Sequence, residues 1–411
     1  MRRGGSTPSV GKRKRRITMA KLLIVGGTWD EGKGKPSSII EEMAHSIHLT
    51  ELYSQVIFRN GGNYYDDLPQ VPVIAADVVL WFPHIPKDFK IEQSWTDVHL
   101  KSEGIKVDIK KSFPKIILVT SKNNYDEKYS FQEIVAHALS TKSNLIVEIK
   151  KDGNRFNGQI IDPLGNVWSE QTESFFDIAN TLAYRTDFLR KITRKGTVQS
   201  PEMMIPMEEA VESQAVADRE FTCPVSLRVF LNTVKTSANI FHDLVEPAKE
   251  VTRFLGNASF RCMRGFPSMR TEDGRFYVSK RNIDKNFIGP DGFVQVGLNI
   301  LTDVVWYRGE HKPSVDTVIQ LELYHQLPLI NYMIHSHVYA KGAPFSKRMI
   351  PCGGLEEIEE IMTVVKDHGL DKQNYFGINL IGHGNIVCAA APWYLSHTQY
   401  IAREVPEVMY E

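Results

Sequence analysis

Of the thirteen histidines in the 411-residue chain, two stand one residue apart in an apolar run, NYMIHSHVYA at 331–340. Side chains at i and i+2 of an extended chain project from the same face. The strand predicted here therefore presents His335 and His337 together and turns Ser336 away. Neutral imidazoles are common nitrogen ligands for zinc and similar divalent ions. A third histidine, His383, lies in LIGHGNIV, where the glycines at 382 and 384 let the backbone turn closely around a ligand. An isolated HxH pair also fits hydrogen-bonded core histidines. Three imidazoles with a fourth position open are the donor set of a catalytic metal, since a structural site is closed by a fourth protein ligand. One helix upstream, Asp316 in KPSVDTVIQ is a carboxylate available as base or extra ligand. Its competing reading is an acid that favours a helix N-terminus.

The elements that must hold these residues are legible in the apolar spacing. VDTVIQLELYHQL predicts a helix leading into the HSH strand, GLEEIEEIMTVVKDHG an amphipathic helix with a glycine stop, and INLIGHGNIVCAA a strand pair or a strand and turn. Upstream, SLRVFLNTVKTSANIFHDLVEPAKEVTRFL predicts a long helix broken near Pro247. ASFRCMRGF, GRFYVSKR, GFVQVGL and DVVWYRG follow as strand-like pieces.

With those motifs in order, residues from about 225 to 400 resemble the class II aldolase and adducin family. They are GNASFR (256–261), FYVSKRNIDK (276–285), GFVQV (292–296), KPSVDTVIQLELYHQLP (312–328), MIHSHVYA (333–340) and LIGHGNIV (380–387). The resemblance implies an αβα domain, metal ligation by His335, His337 and His383, and a divalent cofactor, zinc foremost. It places Asp316 where family aldolases have a catalytic glutamate and the epimerases an aspartate. The implied substrate is a small sugar or sugar phosphate, and the implied assembly a homotetramer. Three neutral histidines leave a bound cation its full double charge, able to stabilise the enediolate formed when a bond beside a ketone breaks.

The resemblance also implies a phosphate pocket with a Gly-Asn pair, a small Thr-Gly-like pair and two serines. Gly256 and Asn257 match, Ser279 and Lys280 replace the small pair, and Ser314 is followed by Val315. Lys280 can supply charge to a phosphate or fill the pocket. A tyrosine supplies the acid in relatives, and Tyr339, Tyr394 and Tyr410 are the candidates. The expected function is a carbon–carbon lyase. A sugar-phosphate epimerase or isomerase and a non-catalytic metal-stabilised scaffold are the alternatives.

Residues 21 to about 190 alternate short apolar runs with helical stretches, the pattern of a mostly parallel, doubly wound sheet. KLLIVGG predicts the first strand and SSIIEEMAHSIH a helix after Pro36. GTWDEGKG (27–34) approaches the P-loop pattern, but Gly34 stands where Ser or Thr should meet magnesium. The expectation is a glycine-rich turn binding a nucleotide or other small anion through Gly26, Gly27, Thr28, Ser37 and Ser38. FRNGG and WFPHIP also follow candidate strands, at the edge where ligands bind open α/β sheets. The whole is expected to be α/β: a disordered basic leader (1–18), a Rossmann- or flavodoxin-like domain (19–192), a linker (193–219) and an aldolase-like domain (220–411).

Composition excludes other classes. The net charge of zero includes seven basic residues and no acid in 1–18, leaving 42 basic against 49 acidic side chains, a net −7, in the rest. That balance argues against nucleic acid as main partner. No run approaches the roughly 18 apolar residues of a membrane span. Cys223, Cys262, Cys352 and Cys388 form no CxxC pair, which suits free thiols in the cytoplasm.

Overall fold

The computed structural model describes residues 19–26, 28–30, 33–35, 37–60, 76–82, 115–140, 143–152, 155–204, 223–237, 254–261, 276–299, 302–403 and 407–409. The leader, Gly27, the glycines of FRNGG, the PHIP of WFPHIP, Cys262 and Tyr410 lie outside them.

The first sheet has eight strands, seven from the N-terminal half and one, at Glu407–Val408, from the stretch expected in the C-terminal domain. Its strands are β1 (Lys21–Gly26), β4 (Gln55–Asn60), β5 (Val78–Trp81), β6 (Ile116–Asn123), β7 (Leu145–Asp152), β8 (Arg155–Ile161), β9 (Asn166–Val167) and β20 (Glu407–Val408), in the order β20-β9-β8-β7-β6-β5-β1-β4. Pairing is parallel from β4 through β7 and antiparallel at β7–β8, the hairpin expected from the sequence, where LIVEIKK and GQIIDPLGNVW flank the turn signal DGN. Leu22, Leu23, Ile24 and Val25 are all buried, as a strand covered on both faces requires. Helices α1 (Ser38–Leu49) and α3 (Phe175–Lys191) pack with Leu145, Val147 and Ile149 on one face. Helix α2 (Phe131–Ser140) packs with Ile146 and Ile161 on the other. This is the expected doubly wound layering. A hairpin of β2 (Thr28–Asp30) and β3 (Lys33–Lys35) stands between β1 and α1, so the segment is not a simple strand-to-helix turn. Gly26 is needed for packing: a Cβ there would lie 2.6 Å from Ile40 Cγ2.

The second sheet, β10-β14-β13-β12-β11-β15-β18-β17, comprises β10 (Thr197–Gln199), β11 (Asn257–Arg261), β12 (Phe276–Ser279), β13 (Phe293–Asn299), β14 (Val304–Tyr307), β15 (Tyr332–Ser336), β17 (Tyr375–Leu380) and β18 (Gly384–Ala389). All its pairs are antiparallel except β10–β14. A small pair, β16 (Tyr339–Ala340) and β19 (Tyr400–Ile401), lies beside it. Helix α4 (Cys223–Ser237) and the short α7 (Pro392–Leu395) cover the face carrying Ala258, Phe260, Tyr332 and Ile334. Helices α5 (Thr317–Gln326) and α6 (Glu356–Asp367) cover the face carrying Val278, Val294, Met333 and Ile378. The C-terminal half is thus an αβα sandwich. Strand β10 lies within the stretch expected as a linker, where it adds an edge to this sheet.

The halves are joined by buried polar contacts. Asn166 Nδ2 donates to the Gly382 carbonyl at 2.6 Å and to Asp162 Oδ2 at 2.9 Å, while Arg403 Nη1 reaches the same Gly382 oxygen at 2.9 Å. Asp162 Oδ2 also accepts from Trp168 Nε1 at 2.9 Å. The turn that carries His383 is therefore held from the N-terminal domain. Among the described residues, no helix is long and apolar enough to cross a membrane.

Candidate metal centre

Strand β15 alternates Tyr332, Met333, Ile334 and His335, so His335 shares Met333's face, toward α5 and α6. His337 follows past the strand end, and its ring centroid is 4.8 Å from that of His335. His383 closes the group from the turn before β18, with centroids 4.8 Å and 5.2 Å from His335 and His337. The close approach depends on Gly384, at φ +147°, where a Cβ would collide with the Ser336 carbonyl. One ring nitrogen from each histidine lies within 4.8 Å of the other two, and all three side chains are buried.

The tautomers follow from the partners. His335 Nδ1 is 2.7 Å from the Asn385 carbonyl, which can only accept, so Nδ1 holds the proton and Nε2 carries the lone pair. That Nε2 faces His337 Nε2 at 3.1 Å. His383 Nδ1 sits 2.5 Å from Glu357 Oε1, leaving Nε2 inward, 3.2 Å from Cys352 Sγ. These residues fit a divalent cation. A tetrahedral ion with bonds of about 2.1 Å sets nitrogen–nitrogen edges of about 3.4 Å, close to the His335–His337 separation. Carbonyl and carboxylate partners on the outer ring nitrogens are what orients metal-ligating histidines.

Burial pushes His335 down to about 4, helped by the neighbouring His383, and burial with the neighbouring His335 and His383 holds His337 well below the usual range. Both are neutral, ligand-ready imidazoles at neutral pH. Burial opposes charge on His383 too, but the Glu357 carboxylate and the Cys352 sulfur together outweigh it and raise this histidine well above its ordinary value. Glu357 was not singled out from the sequence. The signal was present: in α6 it sits four residues before Ile361 and seven before Val364, on the buried face. Replacing Glu357 by glutamine keeps the shape and removes the charge behind His383. Metal affinity, read by competition with a chromogenic chelator, is expected to fall about 10- to 100-fold; an unchanged affinity contradicts the orienting role.

Asp316 is buried at the start of α5 and does not cap its own helix. Its Oδ2 accepts from Asn257 Nδ2 and its Oδ1 from the Gly353 amide, each at 2.8 Å. Asn257 lies directly across from His335 in the β11–β15 register, which links the carboxylate to the imidazoles. Gln320 Nε2 donates to the other amide atom of Asn257, so this side chain is used within the protein. Gly256 precedes it at φ +77°. The Ser279 hydroxyl accepts from the Ala258 amide at 3.2 Å; Lys280 bridges to Pro313, and Ser314 lies two residues before Asp316. The tyrosine candidates separate: Tyr339 OH accepts from the Gly382 amide at 2.9 Å, and Tyr394 packs partly buried in the α4-side core. In the N-terminal half, Ser37 occupies the N-cap position of α1 without a side-chain cap bond, and Ser38 opens the helix.

Lys285, also missed, is fully buried and donates to the carbonyls of Phe254 and Leu255 at 3.1 and 3.3 Å, bracing the approach to Gly256 and Asn257. Burial lowers it from 10.5 to about 8. Between those values the unfolded chain holds a proton that the folded protein lacks, so this group makes stability rise with pH, by about 3 kcal/mol at most. Denaturant melts at pH 8 and pH 10 should show that gain in the wild type relative to Lys285→Met. Parallel changes in the two proteins would contradict it.

Residues 238–407 match the family described as Class II Aldolase and Adducin N-terminal domain. Over those residues the chain is similar to the class II aldolase and adducin family. The three imidazoles and Asp316 all lie within that aldolase-type domain. Among solved structures, a DNA/pantothenate metabolism flavoprotein from Streptococcus pneumoniae aligns at 12% identity over 41% of this chain and 99% of its own, with a TM-score of 0.28. The l-fuculose-1-phosphate aldolase from Thermus thermophilus aligns at 16% identity over 39% of this chain and 79% of its own, with a TM-score of 0.23. No curated protein sequence matches the chain.

Proposed function

We propose that this protein is a metal-dependent lyase of the class II aldolase type, breaking or forming a carbon–carbon bond beside the carbonyl of a small sugar or sugar phosphate. The observation that carries the reading is the convergence of three buried imidazoles, two with their outer nitrogens committed to fixed acceptors, beside a buried carboxylate. A divalent cation there, zinc in the first instance, supplies a fixed positive charge against which an oxyanion can develop. The chain's own part is to orient and to move protons. His335 and His337 hold neutral lone pairs inward, and Glu357 keeps His383 turned the same way. Asn257 and the Gly353 amide fix both oxygens of Asp316, whose remaining lone pairs can take a proton from substrate.

Asp316 stands where family aldolases carry a glutamate, which favours an epimerase or isomerase as second reading. The N-terminal domain is read as a small-molecule or nucleotide-binding unit joined to this chemistry. Metal analysis followed by an aldehyde-release assay on a panel of ketose phosphates tests the proposal. One ion per chain with aldehyde released supports the lyase, and one ion with the ketose converted to its epimer supports the second reading. One ion with no turnover on any ketose overturns both.

A further inference from the structure

A cleft of about 450 Å³ lies between the two halves. Leu139 and Pro163 line it from the N-terminal domain, Leu255 and Val315 from the C-terminal domain, and the segment from Arg194 to Thr197 runs along it. Cys352 and Gly353 are also in its wall. The Cys352 thiol is 3.2 Å from His383 Nε2 and the Gly353 amide donates to Asp316, so the cleft abuts the metal centre.

Its charge is one-sided among the described residues: Arg194, Lys195 and Arg281 line it and no described acid does. Lys195 is paired at 2.5 Å with the exposed Asp303. Arg281 donates from Nε to the Pro313 carbonyl at 3.1 Å, and among the described residues no carboxylate pairs with Arg281 or Arg194. Two arginines without a carboxylate partner among the described residues therefore line a largely apolar space. Guanidinium favours phosphate and carboxylate through paired N–H donors, and the cleft is within the size range of small-molecule sites.

We propose that this two-domain cleft binds the tail of the substrate, an anionic group gripped by Arg194 and Arg281 and joined to the reacting end by an apolar segment against Leu139, Leu255 and Val315. The placement of the reacting end rests on the lyase reading; the anion site does not. The N-terminal domain is then a wall of the substrate site. The substrate class narrows to hydroxy-carbonyl compounds whose phosphate or carboxylate is separated from the carbonyl by apolar atoms.

Calorimetric titration of the full-length protein with phenyl phosphate and with inorganic phosphate tests this without requiring turnover. Phenyl phosphate is expected to bind at least about tenfold tighter than inorganic phosphate, since its ring removes apolar surface from water. Arg194→Gln and Arg281→Gln, both at exposed positions, should each weaken phenyl phosphate at least about tenfold with melting temperatures unchanged. Wild-type affinity in both variants would put the anion elsewhere, on the metal included, and overturn the proposal, as would equal affinities for the two probes. A protein inactive on every ketose that still binds phenyl phosphate through both arginines keeps this site and loses the lyase reading.

Discussion

His383→Ala is expected to lose its metal. Equilibrium dialysis against zinc, followed by elemental analysis, should give about one ion per wild-type chain and an affinity at least about 100-fold weaker in the variant, beyond the loss of an outer-sphere partner. The reason is the chelate: three nitrogens converge from β15, the residue just past its end and the turn before β18, and two of them alone leave an ion mostly to solvent. His383→Ala also strands the buried Glu357 without its partner, a change that costs about 3–5 kcal/mol when a buried pair is broken. His337→Ala avoids that penalty and should lose metal just as fully with a smaller drop in melting temperature. The exposed His397 serves as the control, since His397→Ala should keep its ion. Full metal content in both His383→Ala and His337→Ala would remove the basis for the site.

Asp316→Asn is expected to separate chemistry from metal binding. An amide cannot act as a base, and positioned proton transfer contributes about 100- to 10,000-fold. Turnover should fall by that range while the ion is retained, because the three imidazoles are untouched. The new amide must place its oxygen toward the Gly353 amide and its nitrogen toward Asn257 Nδ2, a donor facing a donor unless Asn257 flips. The variant should therefore lose about 1–3 kcal/mol of stability as well. Assays are best run well below its melting temperature. Undiminished turnover with the ion bound would reduce Asp316 to a structural acid that holds the 353 turn.

Much of the centre was legible in the sequence because its signals are local. The i, i+2 spacing of His335 and His337 pairs the two imidazoles, although β15 ends at Ser336 and His337 lies just past it, and the glycines around His383 announce a tight turn. The alternating apolar runs before residue 190 and the DGN turn likewise forecast the parallel sheet and its antiparallel hairpin. What stayed hidden depends on distant packing. Glu357 is one of several glutamates in α6, and only its spacing to Ile361 and Val364 marks it as lying on the inner face. Asn166 reaches Gly382 from 216 residues away, and no local pattern encodes that bond. Arg194 fell in a stretch read as a linker, since three residues of edge strand, Thr197–Gln199, carry too little periodicity to announce a sheet. The hairpin at 28–35 was missed because GTWDEGKG has the glycine content of a phosphate loop, and its strand pairing depends on backbone bonds.

X-ray absorption at the zinc edge of the purified, zinc-loaded protein tests the central claim most directly. The account predicts three imidazole nitrogens and one oxygen ligand at about 2.0–2.1 Å, the distances ordinary for zinc, with one imidazole fewer in His337→Ala. A spectrum fitted by fewer than two imidazoles, or one unchanged by that substitution, would contradict it.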